Sequence, residues 1–229
     1  MIKKHNIIIS FFLILGINVS AQEGQEKYPT FNEEMAIGIE GDSIAVYALI
    51  ASGNEIKETV IFLHGIPGNE RNLDLAQNVR RSGRNAIFFS YRGAWGSQGT
   101  YSYSNCLADI GHVLDFFSDT AIISKMRIDT SRFVLMGHSL GGGLALIQGA
   151  NENRVKKIIA LSAANYGYWL REVTSIDSLQ GFQNYISSAF MLNCNPREFL
   201  QELLDHKTEY SVLTHSSKLA SKKVLIIDD

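Results

Sequence analysis

Apolar residues in this chain follow two periodicities that alternate from about residue 35 to the end. Residues 35–40 and 43–50 read as two strands joined at Gly41-Asp42, a hairpin signal. Gly53-Asn54 turns the chain, and residues 59–63 form a third, apolar strand. Leu73, Ala76 and Val79 then recur at helical spacing, and Gly83 suits the position just past that helix's end. Residues 86–91 predict the next strand. Leu107, Ile110, Leu114 and Phe117 repeat at intervals of three and four and predict an amphipathic helix. Phe133-Val134-Leu135-Met136 and residues 155–162 are two further apolar strands, whereas residues 22–34 are a polar lead-in. Strands apolar on both faces that alternate with helical patterns are the signature of an α/β domain, a parallel sheet covered by helices.

Residues 165–218 break the rhythm. About fifty residues separate two strands where an ordinary crossover needs far fewer. The segment is rich in large apolar groups, among them Tyr166, Trp169, Phe182, Tyr185, Phe190 and Phe199. It reads as a helical insertion, or cap. Most of these aromatics are expected to pack the cap on the sheet and a minority to line an apolar pocket, and the pattern does not say which.

The two ends change the picture. Lys3 and Lys4, the apolar run 7–17 and the small residues Val19-Ser20-Ala21 form the pattern of a secretory signal cleaved before Gln22. The run is well under the roughly 20 residues that span a bilayer, so no stable membrane anchor is expected after cleavage. No cysteine lies near the cleavage site, which argues against a lipoprotein. The expected location is periplasmic or secreted. Cleavage removes two lysines from a chain whose formal net charge is already −2, and this acidity argues against nucleic acid as a partner. At the other end, Lys223–Ile227 reads as a buried strand, and the chain stops at its carboxyl end. A domain ending there leaves a strand edge uncovered. The chain therefore reads as a piece of a longer protein, with its last strand and helix missing. Cys106 and Cys194 would meet an oxidising compartment, yet nothing in the sequence brings their Cα atoms within the roughly 7 Å that a bridge needs. Two separate buried thiols are expected.

The chemistry centres on Gly137-His138-Ser139-Leu140-Gly141. In a chain with 19 glycines a G-x-S-x-G pattern is weak by itself. Here an apolar strand precedes it and the helix-like run Leu144-Ala145-Leu146-Ile147 follows it, as a nucleophile elbow requires. Ser139 is the candidate nucleophile. No G-x-G-x-x-G and no Gly-Lys-Ser/Thr supports a nucleotide-binding reading of these glycines. A serine hydroxyl also needs hydrogen-bond donors aimed at the oxygen that becomes negative. The backbone N–H of Leu140, at the helix start, is one candidate. The loop Leu63-His64-Gly65-Ile66-Pro67-Gly68 supplies the other, and because Pro67 has no N–H the expected donor is Ile66.

His64-Gly65-Ile66-Pro67-Gly68, Tyr91-Arg92-Gly93-Ala94-Trp95-Gly96-Ser97-Gln98-Gly99 and Gly137-His138-Ser139-Leu140-Gly141-Gly142 stand in the order and spacing of α/β-hydrolases. The chain resembles that family over roughly residues 35–229. The Tyr-Arg-Gly loop is most similar to the esterase and prolyl-oligopeptidase-like aminopeptidase branches. The resemblance implies a doubly wound, mostly parallel sheet (the α/β-hydrolase fold), Ser139 as nucleophile, and Ile66 and Leu140 as oxyanion donors. Family order is Ser, then an acid after the strand that follows the cap, then His after the last strand. Asp228 and Asp229 lie close to the acid's place but short of it, and no residue stands where the His belongs. His5 leaves with the signal, and the resemblance gives His64 and His138 structural roles. His112 is expected on a solvated helix face, and His206 and His215 lie in polar stretches of the cap. A base must reach within about 3 Å of its nucleophile, and the residues present are expected to lack one. Arg92 is open to two roles, anchor for a substrate carboxylate or buried partner of Asp109, and the second is favoured. No spacing implies a metal or cofactor.

Two readings follow. One is an exported serine hydrolase cleaving a small-molecule ester, thioester or amide (peptide), inactive as it stands for want of the His. The alternative is a non-catalytic binding protein on the same fold.

Overall fold

The computed structural model describes residues 27–68 and 72–228. The signal-like segment and Asp229 lie outside the described residues. Seven strands form one sheet: β1 (Phe31–Ile39), β2 (Asp42–Ile50), β3 (Lys57–Leu63), β4 (Asn85–Phe89), β5 (Ile128–His138), β6 (Val155–Leu161) and β7 (Lys223–Ile227), in the order β1-β2-β4-β3-β5-β6-β7. The pairings β1–β2 and β2–β4 are antiparallel and the other four are parallel. The helices are α1 (Leu73–Arg81), α2 (Tyr103–Phe116), α3 (Thr120–Met126), α4 (Leu140–Asn151), α5 (Tyr166–Glu172), α6 (Ile176–Ser188), α7 (Pro196–Asp205) and α8 (Ser216–Leu219), with a 3-10 turn at Val212–His215. Among the described residues no helix is long and apolar enough to cross a membrane.

The chain is doubly wound. From β3 it steps to β4 in one direction, and from β4 it steps back over β3 to β5 in the other. Right-handed crossovers then place α1 on one face and α2 to α4 on the opposite face. The packing agrees. Ala76 of α1 lies with Phe62, Val134 and Met136, whereas Ile110 of α2 and Leu144 of α4 lie with Ile61, Ile87 and Leu135. The carboxyl ends of β3 and β5 therefore lead to opposite faces, and the crevice between them is the switch point at which open α/β sheets bind ligands.

Three local expectations are corrected. The hairpin turn is Glu40-Gly41, since Ile39 pairs with Asp42. Both turn residues have positive φ (50° and 94°), as a type I′ turn that matches the strand twist requires. Strand β1 starts at Phe31, inside the expected polar lead-in, because its alternating exposed positions are those of a sheet edge. Strand β7 forms and pairs with β6, but its residues are exposed rather than buried. It is the sheet's other edge, and the helices that precede it run over α4, so among the described residues neither of its faces is covered. The α1 face is also only partly roofed. A groove of about 450 Å³ opens there beside Phe62, Phe88, Met136 and Tyr47.

Candidate active site

Strand β5 ends at His138 and α4 begins at Leu140, leaving Ser139 alone between them with φ 53° and ψ −119°. A serine in that conformation costs of order 1–3 kcal/mol and persists only where its surroundings over-determine it. They do. Its N–H donates to Leu161 O (2.9 Å), and its carbonyl accepts from Gly142 (3.0 Å), Gly143 (3.2 Å) and Ala164 (2.9 Å). The flanking glycines are a steric necessity. A Cβ on Gly137 would lie 2.0 Å from Gly141 O, and one on Gly141 would lie 2.1 Å from Leu63 O. Strand, helix and the end of β3 are thus in backbone contact, which sets the Ile66 loop beside Ser139. Leu140 is fully buried and opens the helix, where a backbone N–H has no intrahelical acceptor. Ile66 is buried one turn past β3.

Side chains hold the loop after β3 by its carbonyls. His64 Nδ1 lies 2.8 Å from Gly65 O, Tyr185 Oη of α6 donates to Ile66 O (2.5 Å), and Trp95 Nε1 donates to Pro67 O (2.7 Å). The His64 ring packs on Tyr91 and against Gly68, where a Cβ would fall 2.1 Å from Nδ1. Sequence patterns missed Tyr185 and Trp95 as partners of this loop, since both bonds depend on contacts far apart in the chain.

Arg92 has the structural role. Its Nε donates to Asp109 Oδ1 (2.6 Å), its backbone N–H to Asp109 Oδ2 (2.7 Å) and Nη1 to Glu40 (2.8 Å). Burial pushes the Asp109 carboxyl above its usual range against the pull of Arg92. Burial also pushes the Cys106 thiol well up and that of Cys194 up to about 11. Both cysteines are free thiols, so neither is a competing nucleophile near neutral pH. His112 is half-buried rather than solvated, 3.7 Å from Glu40. His206 faces Glu209 (3.2 Å), and His215 engages Asn151 (3.2 Å) and Glu209 O (2.9 Å). Asp228 follows β7 at the same carboxyl end of the sheet as Ser139, two strands or roughly 10 Å away. Among the described residues no cluster of three or more His, Cys, Asp or Glu side chains is placed to hold a metal ion.

Of the aromatics between β6 and β7, Tyr166, Trp169 and Phe182 line a cavity of about 280 Å³ with Ala164 and Asn165. Both Tyr166 and Trp169 have ring centroids 5.3 Å from that of Phe182. The bond from Ala164 N–H to Ser139 O brings this cavity to the elbow.

A strained serine between strand and helix, at the switch point of a doubly wound sheet, is the arrangement of one fold family. Residues 60–217 match the profile of the alpha/beta hydrolase family. The chain belongs to that family. No curated protein sequence matches it. Among solved structures, this alpha/beta hydrolase is similar to Est1E from Butyrivibrio proteoclasticus, with 18% identity and a TM-score of 0.60 over 84% of this chain and 76% of that one. It is also similar to an acetyl xylan esterase from Paenibacillus sp. R4 (15% identity, TM-score 0.56, 88% and 83% of the chains). A hyperthermophilic esterase from the archaeon Pyrobaculum calidifontis is a third (14%, 0.56, 89% and 76%). At these identities the likeness is one of fold.

Proposed function

We infer that this protein is a serine hydrolase that cleaves a small-molecule ester with an apolar acyl group through an acyl-Ser139 intermediate. The observation that carries the reading is Ser139 at φ 53°, ψ −119° between β5 and α4, with Gly141 of the same elbow packed on the backbone of Leu63 and His64, where the loop that holds Ile66 begins. In the first half-reaction Ser139 Oγ attacks the ester carbonyl while a base takes its proton. The carbonyl oxygen becomes an oxyanion facing the N–H groups of Ile66 and Leu140, and the alcohol leaves with the proton. Water then repeats the sequence on the acyl-enzyme and releases the acid. Family order sets the acid after the strand that follows the cap, where Asp228 stands closest, and the base histidine after the last strand.

The aromatic cavity at Tyr166, Trp169 and Phe182 supports an ester over a peptide, because it offers a large apolar surface beside Ser139. Est1E has been solved with ferulic acid, a small aromatic acid, at 15% identity to this chain and a TM-score of 0.61, over 85% of this chain and 89% of that one. The N-terminal pattern of basic, apolar and small residues supports export. The test is fluorophosphonate labelling of the protein expressed from its complete reading frame, read by intact mass. One adduct is expected, mapping to Ser139 and absent from Ser139→Ala, on a chain beginning at Gln22. Labelling that survives Ser139→Ala defeats the reading.

A further inference from the structure

Three successive carbonyls of the loop after β3 are held by three side chains from separate places. Gly65 O faces His64 Nδ1 within the loop, Ile66 O accepts from Tyr185 Oη, and Pro67 O accepts from Trp95 Nε1. In a trans peptide the carbonyl and the N–H point in opposite directions. Holding Gly65 O therefore sets the direction of the Ile66 N–H, which lies in the same Gly65–Ile66 plane, and a hold on the neighbouring plane, joined to it at the Ile66 Cα, limits how far that plane can pivot about its one anchor. The neighbouring plane carries Ile66 O, and its holder is Tyr185, 119 residues downstream on α6. The two holders from outside the loop, Tyr185 and Trp95, belong to one stitched unit. The stretch after α6 is laced to the loop after β4 by Trp95 N–H to Met191 O (3.3 Å), Asn193 N–H to Gly93 O (2.7 Å) and Tyr101 N–H to Asn193 O (2.9 Å). Tyr185 lies in the last turn of α6, directly before this lacing, so its hydroxyl is placed by the body of the protein and not by a freely swinging cap.

We propose that Tyr185 is a positioning residue: it fixes the Ile66–Pro67 peptide from the cap side and so keeps the Ile66 N–H aimed at the oxyanion, without touching the reacting atoms. This rests on the hydrolase reading above. A donor displaced by a fraction of an ångström stabilises the developing charge less while leaving ground-state contacts intact, and misplacement near 1 Å costs about a hundredfold. Loss of one of the loop's holders is expected to cost about tenfold in kcat.

The experiment compares wild type, Tyr185→Phe and the control Tyr168→Phe, all expressed from the complete reading frame. Short-chain nitrophenyl ester turnover and amide hydrogen exchange are measured on each. For Tyr185→Phe the expected result is a kcat about tenfold lower, KM within about twofold, an unchanged thermal midpoint, and faster exchange in peptides covering 63–68 but not in α4. Tyr168→Phe should match wild type throughout. Wild-type kcat in Tyr185→Phe overturns the proposal. So does a rise in KM at constant kcat, which would make Tyr185 a substrate contact, and so does unchanged exchange in the loop. A wild-type protein with no Ser139-dependent turnover would sink the hydrolase reading and this inference with it, and is told apart because the parent itself is then silent.

Discussion

Strands β5 and β7 belong to the parallel part of one sheet, separated by β6, and both are built from runs of large apolar residues. Their fates differ. Phe133, Val134, Leu135 and Met136 in β5 are 0–9% exposed, while Val224, Leu225, Ile226 and Ile227 in β7 are 37–60% exposed. The first is paired with a strand on each side and covered by α4 on one face, and its carboxyl end holds the serine. The second has hydrogen-bond partners on one side only. An apolar run thus records a capacity for burial, and neighbours decide whether the capacity is used. It is the crowding around β5, down to backbone–backbone contact at Gly137 and Gly141, that lets the protein hold a residue in a strained conformation there.

The sharpest way to break this contrast is at the crowded end. Gly141→Val places a side chain 2.1 Å from Leu63 O, where backbone must move rather than a flexible tip. The expected cost exceeds about 3 kcal/mol, the upper part of the overpacking range, and urea denaturation should show a collapsed midpoint or no cooperative transition. Next come paired truncations. Leu135→Ala in β5 should cost about 2–5 kcal/mol, whereas Leu225→Ala in β7 should cost less than about 1 kcal/mol, both read from the same denaturation curves. Equal losses at the two positions would show that β7 is covered in solution and would erase the difference.

The smallest effect concerns the turn that feeds β6, the strand between the two. Hydrogen bonds from Arg154 are the main reason the Glu152 carboxyl sits below its ordinary value of 4.5. A depressed carboxylate contributes stability that is present above the ordinary value and is lost as pH falls through the lower folded one. The pair is partly exposed, so the amount is under about 1 kcal/mol. Thermal midpoints of wild type and Glu152→Gln should therefore differ slightly above the ordinary carboxylate value of 4.5 and converge as the pH falls through the lower folded one.

Much of the site is legible in the residues alone. The elbow can be read there because its requirement is steric and local: glycines at fixed offsets from a serine, between a β-type and a helical run. The proposal of Ile66 as a donor rests on an equally local reason, since Pro67 has no N–H to offer. The ion pair of Arg92 with Asp109 was one of two open roles, and only burial of both groups decided between them. Which aromatics line the cavity at Ala164 was not legible, because Tyr166 and Phe182 meet where α5 and α6 both pack on α7 and not through any repeat along the chain.

What the sequence by itself determined is the identity of the elements and the strained turn at Ser139, because periodicity, glycine placement and proline chemistry act over a few residues. Tertiary structure alone decided the rest: the Glu40-Gly41 turn, set by cross-strand register; the exposure of β7, set by what lies over it; and the hold of Tyr185 on Ile66 O, set by a helix more than a hundred residues away. Each of these is a relation between distant segments. Local pattern does not encode such relations, and only the folded chain supplies the partner.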